Sequence, residues 1–183
     1  AAITVRDITF RNNVVLNTSN PTSWVQGAAM DITAGHPYAF SNNISILNNT
    51  LHGFLWGVRI DEALNGTTPY PNQTNGVTLK NNIFSGIRDA QFTLNTNGVW
   101  SSPPPGNWVS NNNTFSTADK FAWGGTRTLA AWRTLTGNDA NSTLCSPSYE
   151  IDGRGVFRLL HTDVCATDRG AALAGFAADI DGD

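Results

Sequence analysis

Asp31, Arg59, Asp61 and Glu62 are the residues of this 183-residue chain whose types and spacing come nearest to a catalytic set. Two carboxyl groups at a defined separation can cleave a glycosidic bond, one as acid and the other as base or nucleophile. A basic group beside bound cations can instead abstract a proton from a uronic-acid polymer and eliminate across it. Asp31 and Arg59 fall at matching places in two similar segments, GAAMDI (27–32) and GVRID (57–61), with Asp61 and Glu62 just beyond. The same spacing describes a cross-strand ion pair beside a solvated loop, and that is the reading it favours. Few other acids lie in this part of the chain, Asp7 and Asp89 among them. His36, His52 and His161 show no HxxxH or HExxH spacing, which argues against zinc. Asp179, Asp181 and Asp183 alternate like the opening of a calcium loop. Residues 179–183 lack the distal Glu of such a loop, so a closing turn is expected there ahead of a calcium site, and no other cofactor is expected.

Aromatic residues suggest binding more than catalysis. Trp24, Trp56, Trp100 and Trp108 stand beside Asn, Thr and Ser, and Trp100 and Trp108 flank the stiff segment SSPPPGN. Sugar rings stack their apolar faces on aromatic planes while amides and hydroxyls read the ring edges. Each tryptophan taken singly packs equally well into its own structural unit, but the set predicts at least one exposed platform. The rest of the composition agrees. Only 14% of residues are charged, lysine occurs at Lys80 and Lys120 alone, and the net charge is −3 with pI ≈ 5.5. Such a balance argues against nucleic acid and acidic membranes as partners. No apolar run is long enough to span a bilayer and no signal-peptide pattern is present, as in the mature form of a secreted protein. Cys145 and Cys165 suit a disulfide across the C-terminal segment, two buried free thiols being the alternative.

These residues are held by a repeat. NISILNNTLHG (43–53) and VTLKNNIFSG (77–86) align with Val77 on Ile44, Leu79 on Ile46, Asn81 on Asn48, Asn82 on Asn49, Phe84 on Leu51 and Gly86 on Gly53. Trp108, Ser110, Asn112, Asn113, Thr114 and Phe115 form a later copy. An earlier one is expected with Ile3, Val5, Asp7, Thr9 and Phe10 in the places of Ile44, Ile46, Asn48, Thr50 and Leu51. The copies then start 41, 33 and 31 residues apart. Each is followed by a second apolar segment: GAAMDI, GVRID or QFTLN (91–95). Short strands with sharp polar turns and recurring like residues predict an all-β chain, a parallel β-helix whose equivalent positions stack about 4.8 Å apart. Phe10, Leu51, Phe84 and Phe115 would then form an interior ladder, and Asn48, Asn81 and Asn112 a hydrogen-bonded ladder at a corner. An antiparallel sandwich is the competing fold, but it does not require like residues at like places.

Beyond residue 125 the pattern changes. Leu129, Trp132 and Leu135 lie at helical spacing in a segment ended by Gly137. The expected organisation is therefore β-helix coils over 1–125 and a helix with a closing segment over 126–183. Trp123-Gly124-Gly125, Leu129 to Gly137, Ser146-Pro147-Ser148-Tyr149, Phe157-Arg158-Leu159, Asp168-Arg169-Gly170 and Asp179-Ile180-Asp181-Gly182 follow in order. This series resembles the C-terminal end of secreted bacterial right-handed parallel β-helix repeat proteins. The resemblance covers residues 107–183 in detail, and Cys165, within TDVCATDRG, departs from the usual pattern.

What the resemblance implies is a right-handed coil, a carbohydrate-active context, and an extracellular location. That group includes polysaccharide lyases, glycoside hydrolases and carbohydrate-binding modules. The chain opens inside a repeat, so upstream coils or domains of the same protein are expected. The sparse acid and base inventory favours a non-catalytic module binding a neutral polysaccharide over a strongly acidic one. Part of a lyase or glycosidase is the alternative, and a structural or adhesive stalk a second.

Overall fold

Asparagine tolerates a left-handed backbone better than most residues, and paired asparagines use that property to turn this chain. Asn12, Asn48, Asn81 and Asn112 have φ of 54°, 54°, 58° and 57°. Each is followed by a second asparagine and then by a new strand. The computed structural model describes residues 3–17, 27–34, 39–62, 64–65, 68–69, 74–94, 108–122, 125–151, 153, 157–167, 170–171 and 173.

Four passes of the chain each supply three strands. The first gives β1 (Ile3–Arg11), β2 (Val14–Leu16) and β3 (Ala28–Ala34), and the second β4 (Ala39–Leu47), β5 (Thr50–His52) and β6 (Trp56–Glu62). A small antiparallel hairpin, β7 (Leu64–Asn65) and β8 (Thr68–Pro69), precedes the third pass. That pass gives β9 (Thr74–Lys80), β10 (Ile83–Ser85) and β11 (Ala90–Leu94), and the fourth β12 (Val109–Asn111), β13 (Thr114–Phe115) and β14 (Phe121–Ala122). The chain continues through β15 (Thr126–Arg127), α1 (Leu129–Thr136), β16 (Thr143–Leu144), β17 (Tyr149–Ile151) and β18 (Phe157–Leu159). Like strands pair across passes: β1-β4-β9-β12 is sheet A, β2-β5-β10-β13-β16 sheet B, and β3-β6-β11-β14-β15 sheet C. All these pairs are parallel except β14 with β15. The chain is thus mostly β, and parallel pairing of Ile44 with Val77 and Leu51 with Phe84 removes the antiparallel sandwich.

The register matches the repeat in three passes and corrects it in the first. Ile8 pairs with Ile44, Phe10 with Ile46 and Val15 with Leu51, an offset of 36 rather than 41. Val15, not Phe10, therefore stands in line with Leu51, Phe84 and Phe115. The physical reason is that Asn12-Asn13 makes the corner. Asp7, expected there, does have φ of 58°, but it belongs to a bulge inside sheet A that it shares with Asn43 (54°) and Gly76 (68°). Gly53 and Gly86 supply the next bend with φ of 82° and 59°. A Cβ on Gly53 would lie 2.3 Å from the Asn17 carbonyl oxygen, so no other residue fits that turn.

The three sheets enclose one core. Ile44, Ile46, Val77 and Leu79 reach it from sheet A, Leu51, Phe84 and Phe115 from sheet B, and Ile32, Val58, Ile60, Phe92 and Phe121 from sheet C. Phe84 lies 5.1 Å from Phe115 and 5.0 Å from Phe92 between ring centroids. The helix closes one end. Thr128 caps it through its hydroxyl, which accepts the Ala131 N–H at 3.2 Å, and Gly137 ends it at φ 70°. Leu129 and Trp132 are buried, whereas Leu135, expected on the same face, is 42% exposed. The core ends after one turn of the helix.

The hydrogen-bonded ladder is the second asparagine of each pair, not the first. Asn49 Oδ1 accepts from Asn13 N–H and Nδ2–H, both at 3.1 Å. Asn82 Oδ1 accepts likewise from Asn49 at 3.0 and 3.1 Å, and Asn113 Oδ1 from Asn82 at 2.9 and 3.1 Å. The first asparagines, Asn48, Asn81 and Asn112, turn the backbone, and among the described residues their amides do not bond to one another. Both roles cannot fall on one residue, because the αL turn swings the first amide out of the stack. The ladder ends on Asp139, which is fully buried. Ser142 Oγ accepts the Asn113 N–H at 2.9 Å and donates to Asp139 Oδ1 at 2.7 Å. Ser110 Oγ donates to the same oxygen at 2.8 Å, and the Trp132 indole N–H to Oδ2 at 3.1 Å.

Sheet B continues into the C-terminal segment, since Thr143 pairs with Thr114 and Leu144 with Phe115. Cys145 is joined to Cys165 with Cα atoms 5.6 Å apart, the linkage the sequence suggested. The antiparallel β17–β18 pair then lies over sheet B: Tyr149 and Phe157 stack at 4.5 Å, and the His52 ring lies 5.4 and 5.1 Å from them. Asn81 holds the following segment, accepting the Ala171 N–H at 2.9 Å and donating to its carbonyl at 2.7 Å.

Replacing Asn82 by Ala should destabilise the protein by about 3 kcal/mol, because buried donors on Asn49 lose their acceptor. Urea denaturation measures it, and a change under about 1 kcal/mol would mean the ladder carries no stability. Burial pushes the His52 pKa below its ordinary 6.5, so the fold favours the neutral ring. That contribution is complete above 6.5 and is lost as pH falls towards the lowered folded value. Stability should therefore drop on acidification through this window, and His52→Gln should flatten that part of the profile.

Candidate functional site

Strand alternation sends the side chains between core residues to the opposite face. In sheet C, Met30, Val58, Phe92 and Phe121 share one inward row, so Asp31, Arg59, Thr93 and Ala122 share the next row outward. Thr33 pairs with Asp61, and Ala34 with Glu62. The register thus brings the backbones of all four sequence-predicted polar residues together on neighbouring strands. The side chains of Asp61 and Glu62 lie outside what the structure describes.

Arg59 organises the described part. Its Nε–H donates to Asp31 Oδ1 at 3.1 Å, and its Nη2 pairs with Asp31 Oδ2. The Thr33 hydroxyl donates to the same Oδ1 at 2.5 Å. The guanidinium carbon lies 5.4 Å from the centroid of the Trp56 ring. The pair is partly solvated, with side-chain exposures of 27% and 37% for Arg59 and Asp31. Both oxygens of Asp31 are committed, one to two donors and one to the guanidinium. This arrangement suits fixing Arg59 over the indole, as cation–π contact and ion pair act on the same group. What results is a half-buried tryptophan ring with an ion-paired guanidinium beside it.

The other candidates fall elsewhere. Trp108 packs edge-on to Phe92 and Trp132, at 5.9 and 5.6 Å, against the core. Its ring is a half-buried packing element, the alternative the sequence left open for each tryptophan taken singly; the position follows from its place just before β12, where the chain passes the helix. Trp24, Trp100, His36, Asp179, Asp181 and Asp183 lie outside the described residues. Among the described residues no three His, Cys, Asp or Glu side chains converge as a metal site.

Sequence reasoning passed over one constellation. His52 Nδ1 lies 2.8 Å from Ser85 Oγ, which lies 2.8 Å from the Tyr149 hydroxyl. A serine so close to an imidazole has the spacing of a nucleophile and its base. Here Ser85 is only 3% exposed, and Tyr149 and Phe157 lie against the His52 ring. Burial drives the Tyr149 pKa up to about 12, so its hydroxyl stays protonated and can donate. The trio fastens the C-terminal hairpin to sheet B. The signal was present, since the repeat alignment already places Ser85 on His52, but Tyr149 comes from outside the repeat.

No protein-family model, curated protein or solved structure matches this chain significantly. Its function has to be argued from its own geometry.

Asp31→Ala should cost no more than about 1 kcal/mol, because the ion pair it breaks is partly exposed and screened. The same variant should release Arg59 from the indole and alter the Trp56 contribution to fluorescence. An unfolding change of several kcal/mol would show instead that the pair is a structural centre.

Proposed function

We propose that this chain is part of a right-handed parallel β-helix that binds an extended, neutral or weakly charged polysaccharide without cleaving it. The observation that carries the reading is the half-buried Trp56 ring held beside Arg59 at the start of β6. A rigid indole costs little entropy to stack on a sugar, and Asp31 Oδ2 and the Thr33 hydroxyl oxygen keep lone pairs that can accept from ring hydroxyls. Strands in register at about 4.8 Å give a polymer lying across them repeated points of contact.

The fold assignment is supported by three parallel sheets shared in rotation by successive passes of the chain. It is supported too by the resemblance of residues 107–183 to secreted bacterial proteins of that class. Secretion is favoured by the Cys145–Cys165 disulfide and the near absence of lysine, and among the described residues no helix is long and apolar enough to cross a membrane. Val5 and Ile8 at 45%, Val14 at 41% and Leu16 at 36% exposure line the outer edge of the first pass. We read that edge as the seat of a further coil of a larger protein.

A second reading, a lyase or glycosidase, draws on the register that sets Asp61 and Glu62 beside Asp31 and Arg59. A stalk without ligand is the third.

Affinity electrophoresis against soluble xylan and glucan, with reducing-end and unsaturated-product assays, separates them. The expected result is retardation with affinity on the order of micromolar to millimolar, weakened about tenfold by Trp56→Ala, and no product. Product formation lost in Asp31→Asn or Asp61→Asn establishes the enzyme, and no retardation by any glycan leaves the stalk.

A further inference from the structure

The C-terminal hairpin lies on the coils without joining their sheets. Among the described residues, β17 and β18 form a two-stranded sheet of their own, and such a pair alone is at best marginally stable in water. Hydrogen bonds make the segment one body. Asp163 Oδ2 accepts the Ser148 N–H at 2.7 Å, and Oδ1 accepts those of Cys165 and Ala166 at 3.0 and 2.7 Å. The Leu160 N–H donates to the Ser148 carbonyl at 2.8 Å. Cys165 thus belongs to the hairpin. Cys145 belongs to the coils, since its N–H donates to the Phe115 carbonyl at 2.9 Å, so the disulfide joins the two bodies. Beneath the hairpin, Leu16, His52 and Ser85 share an outward row of sheet B, while Leu51 and Phe84 face the core. Ser85 is buried and His52 half-buried, with Tyr149 and Phe157 against the imidazole, whereas Leu16, one strand further, is 36% exposed. The cover stops at His52.

We propose that the hairpin is a redox-latched cover, which opens as a unit when the Cys145–Cys165 bond is reduced and uncovers the His52–Ser85 pair on coils that stay folded. Cys145 is half-buried and Cys165 only 6% exposed, so the thiolate of a dithiol reductant attacks the Cys145 sulfur. A mixed disulfide forms there, and Cys165 leaves as a thiolate and takes a proton. The reductant's second thiol then closes its own ring and releases Cys145, so two electrons pass from the dithiol to the protein. What still holds the hairpin includes the Ser85–Tyr149 hydrogen bond, the rings against His52 and the Asn81–Ala171 clip. Losing the cross-link returns conformational freedom to the open loop, which shifts the balance towards opening. The coil surface left behind is polar at His52 and Ser85, so the coils lose little by it. Closed, the pair is screened from any ligand; open, both groups face solvent. The inference does not rest on the Trp56 site.

Carbethoxylation of histidine by diethyl pyrocarbonate, mapped by mass spectrometry before and after dithiothreitol, tests it alongside amide hydrogen exchange. His52 should react about tenfold faster or more once the bond is reduced, while His161, exposed in either state, keeps its rate. Amides of β17 and β18 should lose about tenfold or more of their protection, and those of β5 and β10 should keep theirs. Cys145→Ser/Cys165→Ser should match the reduced protein with no reductant present. Three results would overturn the proposal: His52 equally shielded after reduction, protection lost from β5 and β10 together with the hairpin, or a bond that dithiothreitol does not cleave in the folded protein.

Discussion

The rest of the structure hangs on a line of buried amides that must end somewhere. Asn13, Asn49 and Asn82 each give their backbone N–H and Nδ2–H to the next Oδ1, so the line has direction and the donors of its last member, Asn113, must find other acceptors. A fifth asparagine would pass the problem on. The chain instead places Ser142 and then the Asp139 carboxylate, an acceptor without donors of its own. Asp139 is tolerated in full burial because Ser110, Ser142 and Trp132 all donate to it. The carboxylate lies just past the helix, and Arg133 holds the turn by donating to the Asp139 carbonyl at 2.7 Å.

That termination ties the polar and apolar halves of the fold together. Trp132, whose indole N–H is one of the donors to Asp139, has its ring against Phe92 and Phe121, at 5.9 and 5.5 Å. One side chain therefore closes the amide ladder and plugs the aromatic core. The helix needs only a single turn facing inward to do this, which is why Leu129 and Trp132 are buried and Leu135 is not. The C-terminal hairpin is secured independently, by the disulfide and by the His52–Ser85–Tyr149 chain, on the outer face of sheet B.

Much of this was legible in the sequence because inward positions repeat. Leu51, Phe84 and Phe115, the turning asparagines and the positive-φ glycines recur at fixed places, and packing demands that they do. The Asp31–Arg59 contact was legible for the same reason, as both stand at one place in successive strands. Roles were harder than positions. Two adjacent asparagines look alike in a sequence, yet one takes an αL backbone and the other the ladder. Trp108 reads as a surface residue from its polar neighbours, and only its place beside the helix packs it, half-buried, against the core.

The outward rows show most sharply what a register is worth. With the first pass offset by 41, Arg6 would stand on Leu47, in line with Lys80, and Arg11 on His52 in another sheet, so the wrong arginine would be placed in that row. The bulge at Asp7, Asn43 and Gly76 explains why that offset misleads: it places a left-handed residue in mid-strand that resembles a corner. With the observed offset of 36, Arg11, Leu47 and Lys80 form one row and the hydroxyls of Thr9, Ser45 and Thr78 another. Inward residues announce themselves by hydrophobicity whatever the offset, because any apolar residue fits a core approximately. Outward residues have no such signature, so their arrangement exists only once each strand is placed to the residue. In a chain built this way the core can be read from composition and period, while the surfaces that meet other molecules depend on register, and a slip within one strand is enough to hide them.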